Sequence, residues 1–156
     1  MTAIRVSLVD VYVVRPARGG LEFLVLRRSP TGGRCAGAWE AVHGHIEADE
    51  RPVEAARREM LEETGLTPER LYNLSRVEAF YQHHHNEVAL VPVFAAVVHA
   101  GAQPVLGLEH DAAEWLEPPA AKGRFAWPRE RRAVEDVMML LGGGGAGALE
   151  DVLRIV

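Results

Sequence analysis

Three glutamates carry the strongest chemical signal in this chain. Glu59, Glu62 and Glu63 stand at i, i+3 and i+4, a spacing that puts them on one side of one helix. Like charges so placed repel by roughly 0.2–0.5 kcal/mol per adjacent pair in an isolated helix. Glu54 to Arg58 and Arg58 to Glu62 are opposite pairs at i, i+4 and offset part of that cost. Alone, the run fits a solvated helix face laced with ion pairs. Its surroundings add a second reading. The glycine loop Gly44–Asp49 precedes it and an arginine lies inside it. Such a cluster suits Mg²⁺ or Mn²⁺, hard ions held by a few carboxylates together with the phosphates of a substrate.

The elements around these residues must position them. Glu50–Thr64 reads as a helix with Asp49 as its N-cap, Pro52 in its first turn and Gly65 at its C-terminal end. Val53, Ala56 and Met60 give it one apolar face, and Ala55 and Ala56 allow close approach to a sheet. Ile4–Val14, with one irregularity, and Leu21–Arg28 read as a strand pair joined by the turn Arg15–Gly20. Ser29–Gly37 is a loop, and Trp39–Val42 is a short strand ending at Gly44. Leu74–Gln82 and Glu87–His99 form a second hairpin turning at His83–Asn86. Ala112–Leu116 is a final strand, followed by helices at Pro118–Lys122 and Glu130–Leu141. Residues 1–141 read as one domain, and 142–156 as a glycine linker and C-terminal tail.

Composition bounds the class. The chain has 156 residues, 48% hydrophobic and 25% charged, the values of an ordinary globular domain. Its formal charge of −5 argues against a broad face for extended nucleic acid. The apolar run Val88–Val98 contains Pro92 and is too short to cross a membrane. One cysteine, Cys35, cannot form an internal disulfide, and no leader pattern opens the sequence. Both fit a cytoplasmic location.

The segment GHIEADERPVEAARREMLEETGL, residues 44–66, resembles the Nudix box. Gly44, Glu50, Arg58, Glu59, Met60, Glu62, Glu63, Gly65 and Leu66 occupy its specified positions. Leu24–Arg28 resembles the family's strand before the box, and Trp39–Gly44 its approach, with His43 where many members have another glycine. Glu109–Leu116 is similar to the family's late acidic loop and tryptophan strand.

The resemblance implies an α/β fold, an α/β/α sandwich around a central mixed sheet. It also implies Mg²⁺- or Mn²⁺-dependent hydrolysis of a phosphoanhydride bond in a nucleoside diphosphate linked to another group. Carried over by position, Glu59, Glu62 and Glu63 bind metal with the carbonyl of Gly44, while Glu50, Arg58 and Gly65 support the box. Glu59 and Glu109 are the two candidates for general base, and Glu109 is also a candidate extra ligand. Arg27, Arg28 and Arg34 border the site, and one of them is expected to hold a phosphate. Glu109–Ala121, with Trp127 and Arg131, is similar to bacterial enzymes acting on dihydroneopterin triphosphate and deoxynucleoside triphosphates. Tyr81 lies near the place of a tyrosine in diadenosine polyphosphate hydrolases, which keeps that substrate open. Homodimers are common among such proteins.

Other residues of reactive or aromatic type have plainer roles available. His83, His84 and His85 alternate faces if extended and form a polar hairpin tip more readily than one metal site. Trp39 and Trp115 default to packing, whereas Trp127, in a loop beside Phe125 and Pro128, is the best candidate to stack on a base. Cys35 lacks the partners a nucleophile needs. A binding module without hydrolysis would be expected to lose carboxylates from the box, and none is lost here.

Overall fold

The computed structural model describes residues 1–156. Eight strands form one mixed sheet: β1 (Ala3–Val6), β2 (Leu8–Ala17), β3 (Gly20–Arg28), β4 (Trp39–Glu40), β5 (Val42–His45), β6 (Arg70–Gln82), β7 (Glu87–Val97) and β8 (His110–Leu116). Four helices complete it: α1 (Pro52–Thr64), α2 (Pro118–Arg124), α3 (Pro128–Leu141) and α4 (Glu150–Leu153). β1 and β2 run parallel to β7, and the other pairings are antiparallel.

Strand alternation builds two cores. On β2 and β3, Tyr12, Val14, Phe23 and Val25 point to one face, under α2 and α3 with Phe125, Val134 and Val137. Val9, Val11, Val13, Leu24 and Leu26 point to the other, under α1 with Ala55, Ala56 and Met60. The result is helix, sheet, helix in three layers. The alanines of α1 are fully buried, so its carboxylate-bearing side is held close to the sheet edge.

Several boundaries differ from expectation. The irregularity in the first strand is a break between β1 and β2, and the two pair with different stretches of β7. β6 starts four residues earlier than expected, at Arg70, and carries a bulge between Asn73 and Val77 with Ser75 at φ 58°. α1 starts at Pro52, and its N-cap is Arg51, not Asp49. Asp49 turns the loop at φ 63°, and the Glu54 side chain accepts from the Arg51 N–H at 2.9 Å. The C-terminal residues pack on β6: Ile155 N–H donates to Leu71 O, Tyr72 Oη donates to Glu150, and Leu153 is buried.

Candidate active site

The box is assembled around Arg58. Its guanidinium binds both oxygens of Glu50 at 2.9 Å, the carbonyl of His45 at 2.8 Å and Glu59 at 2.8 Å. Glu50 also accepts from the Glu47 N–H at 2.9 Å. These bonds, Arg58 foremost, hold the Glu50 carboxyl down at about 2. One arginine thereby ties the loop to the helix and orients Glu59.

Glycines let the catalytic surfaces touch. A Cβ on Gly44 would lie 2.0 Å from Glu59 Cδ, so the carboxylate rests against the bare backbone of β5. Gly65 closes α1 at φ 68° and meets Val105. Val105 N–H donates to Thr64 O at 2.8 Å, and a Cβ on Gly107 would lie 2.8 Å from Glu62 O. The loop before β8 is thus laid along the end of α1. Ser29 N–H donates to Glu109 O, and Gly32 has no room for a side chain against the same carbonyl.

This packing brings Glu109 to Glu63. Carboxylate oxygens of both lie within 4.8 Å of each other and of a ring nitrogen of His110. A cavity of about 200 Å³ is lined by Glu59, Glu62, Glu63 and Glu109. Glu63 is 4% exposed, and neither of its oxygens has a hydrogen-bond partner. Burial, then the charges of Glu109, Glu59 and Glu40, push its carboxyl up to about 10. The His43 backbone N–H opposes that shift but falls outside hydrogen-bond geometry. Burial also raises Glu59, against the opposing hydrogen bond from Arg58. An unpartnered buried carboxylate with two more beside it is a donor set that fits a hard divalent cation. Glu62 is more exposed and reaches Arg58 only at 3.4 Å.

Glu40 and Arg28 join this cluster to a larger cavity. His110 Nε2 is 3.0 Å from Glu40, Arg28 is 3.2 Å from Glu40, and Arg28 is 3.8 Å from Glu109. Sequence reasoning gave no role to Glu40 or His110. They alternate with strand residues of ordinary type, and only the β3–β4 and β3–β8 registers bring them together. The larger cavity, about 450 Å³, includes Arg28, Arg34, His43, Phe80, Trp127 and Arg129 in its wall. Phe80 meets Trp127 edge to face at 6.2 Å, and Arg129 lies 5.1 Å over the indole. Buried Glu130 accepts from Ala41 N–H at 2.6 Å and Trp127 N–H at 3.3 Å, which fixes the tryptophan against the β4–β5 junction. A hollow of about 460 Å³ beside Arg57, Leu61 and Val156 is as large, but it holds none of the clustered carboxylates and no aromatic side chain.

Two expected substrate residues lie elsewhere. Tyr81 is absent from the cavity wall because Phe80 and Gln82, its strand neighbours, face the cavity. Tyr81 is exposed on the opposite side of β6 and donates to Asn86. Arg27, before a register shift, binds Asp111 at 2.7 Å and reaches neither cavity lining, whereas Arg28 does. Trp39 and Trp115 pack against the two cores.

A family model described as the NUDIX domain matches residues 5–137. The chain belongs to the Nudix family. Members of this hydrolase family act on nucleoside diphosphate-linked substrates. Among solved Nudix structures, the dihydroneopterin triphosphate pyrophosphohydrolase of E. coli is 26% identical with a TM-score of 0.67, covering 89% of this chain and 99% of that one. The MutT protein of Methanosarcina mazei is 27% identical with a TM-score of 0.66, covering 86% and 92%. The Ap4A hydrolase of C. elegans shares the fold at 23% identity and a TM-score of 0.71, covering 87% and 97%. An octanoyltransferase of Myxococcus xanthus is 36% identical over 134 residues, 81% of this chain. The chain spans about a third of that relative's length, 35%. Hydrolases and pyrophosphohydrolases of the Nudix fold are thus among the proteins this chain is similar to. No helix is long and apolar enough to cross a membrane.

Proposed function

We propose that this Nudix protein hydrolyses a phosphoanhydride bond in a nucleoside triphosphate or a dihydroneopterin triphosphate-like compound, with Mg²⁺ or Mn²⁺ as cofactor. The observation that supports it most is the buried, unpartnered Glu63 carboxylate with Glu59 and Glu109 beside it. Glu59, Glu62 and Glu63 would hold the ion, with the Gly44 carbonyl as a further ligand. An ion held there would supply neutralisation of phosphate charge and a more acidic bound water.

The residues supply the rest. Glu109 takes the proton of the attacking water, since its side chain is 56% exposed and solvent reaches it. Glu59 is the other candidate, but Arg58 already donates to it. Arg28 holds a substrate phosphate, since it lies in the wall of the larger cavity and 3.8 Å from Glu109. Trp127 and Phe80 receive the flat ring of the substrate. The likeness to the E. coli dihydroneopterin triphosphate enzyme, at 26% identity against 23% for the C. elegans Ap4A hydrolase, favours a triphosphate with one ring system. A diadenosine polyphosphate is the less favoured reading, because Tyr81 points away from the cavity. A nucleotide-sensing domain without hydrolysis is disfavoured by the complete box.

A cytoplasmic location is part of this reading, as is a homodimer, for which Ile4, Val6, Val77 and Tyr81 offer exposed apolar surface. The test of substrate is chromatography of products from dihydroneopterin triphosphate, deoxynucleoside triphosphates, diadenosine tetraphosphate, ADP-ribose and nucleotide sugars with Mg²⁺ or Mn²⁺. Preference for the first two classes supports the assignment. Preference for a two-base polyphosphate or a sugar nucleotide overturns it.

A further inference from the structure

We propose that His43 is a specificity residue whose Nε2 forms a hydrogen bond with a hydroxyl on the part of the substrate linking the ring to the first phosphate. The inference rests on the cavity being the substrate site. Three observations support it.

The first is a built support. Asp10 lies on β2 with its side chain 1% exposed, and its oxygens take His43 Nδ1 at 2.6 Å and Arg129 Nε at 2.7 Å. Arg129 Nη2 adds a second contact at 3.3 Å. Burial alone would push the Asp10 carboxyl up; His43 and then Arg129 reverse that and bring it to about 2. A carboxylate clamped by a guanidinium only accepts, so Nδ1 donates to Asp10 and Nε2 is the ring nitrogen left for a ligand.

The second is direction. With Nδ1 facing buried Asp10, the opposite edge of the ring faces the cavity, where the His43 side chain is 26% exposed and Nε2 has no protein partner.

The third is place. His43 immediately precedes Gly44, against which the Glu59 carboxylate rests, and it shares the cavity with Trp127 and Phe80. A substrate with its ring at the tryptophan and its phosphates at the carboxylates passes His43 between the two. The group there is the sugar or a short polyol, and its hydroxyls can bond to the ring nitrogen. A glycine at this position would supply no side chain.

The test compares dATP with 2′,3′-dideoxyATP, which lacks the sugar hydroxyl, in KM, kcat and calorimetric Kd with Mg²⁺. Wild type should prefer dATP by about three- to tenfold in KM and Kd, the range of one net hydrogen bond. In His43→Leu that ratio should fall towards one, and His43→Gln, which keeps a hydrogen-bonding group at similar reach, should restore part of it. Asp10→Asn, which frees the ring, should lower the ratio in the same way. If Asp10→Asn does not fold, the Leu and Gln pair decides alone. An equal loss for both nucleotides in His43→Leu, or a ratio of one in wild type, overturns the assignment. Trp127→Ala separates the two claims: unchanged Kd for both nucleotides overturns the cavity as substrate site and the role of His43 with it.

Discussion

The carboxylate of Glu59 rests against the bare backbone of Gly44, so closely that a single methyl group there would overlap it at 2.0 Å. Gly44 is on β5 and Glu59 is on α1, and Arg58 holds the contact by binding Glu59 and the His45 carbonyl together. The glycine is required by side-chain approach and not by an unusual backbone angle. Gly44→Ala should displace the far end of a flexible side chain, which costs little stability, while moving a carboxylate that must be placed to within about 0.5 Å. The expected result is a melting temperature within about 3 °C of wild type and a fall of about 10²-fold or more in metal-dependent kcat. Retained kcat would show that the Glu59 position is not critical.

The buried Glu63 predicts an inverted stability effect. Its folded pKa is about 10, against 4.5 for an ordinary glutamate. A raised acid gives its full stability below the unfolded value, and that stability is lost as pH rises towards the folded value. Metal-free wild type should therefore lose about 2–3 kcal/mol between pH 4.5 and pH 7 through this group. In EDTA at pH 7.5, Glu63→Gln should melt higher than wild type by about 5 °C or more. Excess Mn²⁺ should reverse the order by stabilising wild type alone. Differential scanning calorimetry with and without chelator measures both. A variant less stable than wild type in EDTA contradicts the account.

Arg58 and Glu50 behave in the opposite sense. Glu50 is held at about 2, so its contribution is present above 4.5 and is lost as pH falls from there towards 2. Arg58→Lys cannot reproduce the two-pronged contact with Glu50 and the bonds to His45 and Glu59. It should lower kcat/KM about tenfold or more and flatten the acid limb of the stability curve. Circular dichroism melts at pH 3, 4 and 6 test the second part; parallel curves for the two proteins would contradict it.

The box was legible because its chemistry is local. Glu59, Glu62 and Glu63 lie within one helical turn, and spacing alone placed them together. Helix α1, the two hairpins and the helix near the C-terminus follow from periodicity and from glycine and proline punctuation. Contacts at long sequence separation were not legible. Asp10 and Arg129 are 119 residues apart, and Glu40 meets His110 at a separation of 70. Asp10 reads as one polar residue in an apolar strand until β5 and α3 are docked beside it. Tyr81 fell on the wrong side because one residue of strand phase decides which face a side chain takes. Asp49 resembles an N-cap in type, but the loop uses it in a left-handed turn two residues before the true cap.

The C-terminal residues should contribute to stability without touching the chemistry. Leu153 is 6% exposed in the core under α3, and Glu150 joins Tyr72 to the Ala146 N–H. Leu153→Ala should cost about 2–4 kcal/mol. At a temperature where the variant is folded, kcat should match wild type. Urea melts and initial rates on one preparation decide this, and a loss of kcat without loss of stability would place the tail in the mechanism.

The most direct measurement is initial-rate hydrolysis of dATP and dihydroneopterin triphosphate by wild type and Glu63→Gln, with Mg²⁺ and with EDTA, reading products by ion-exchange chromatography. Turnover of at least one triphosphate should require the metal and fall by about 10³-fold in the variant. Turnover that persists in EDTA or in Glu63→Gln, or tight nucleotide binding without hydrolysis under any condition, would contradict this expectation.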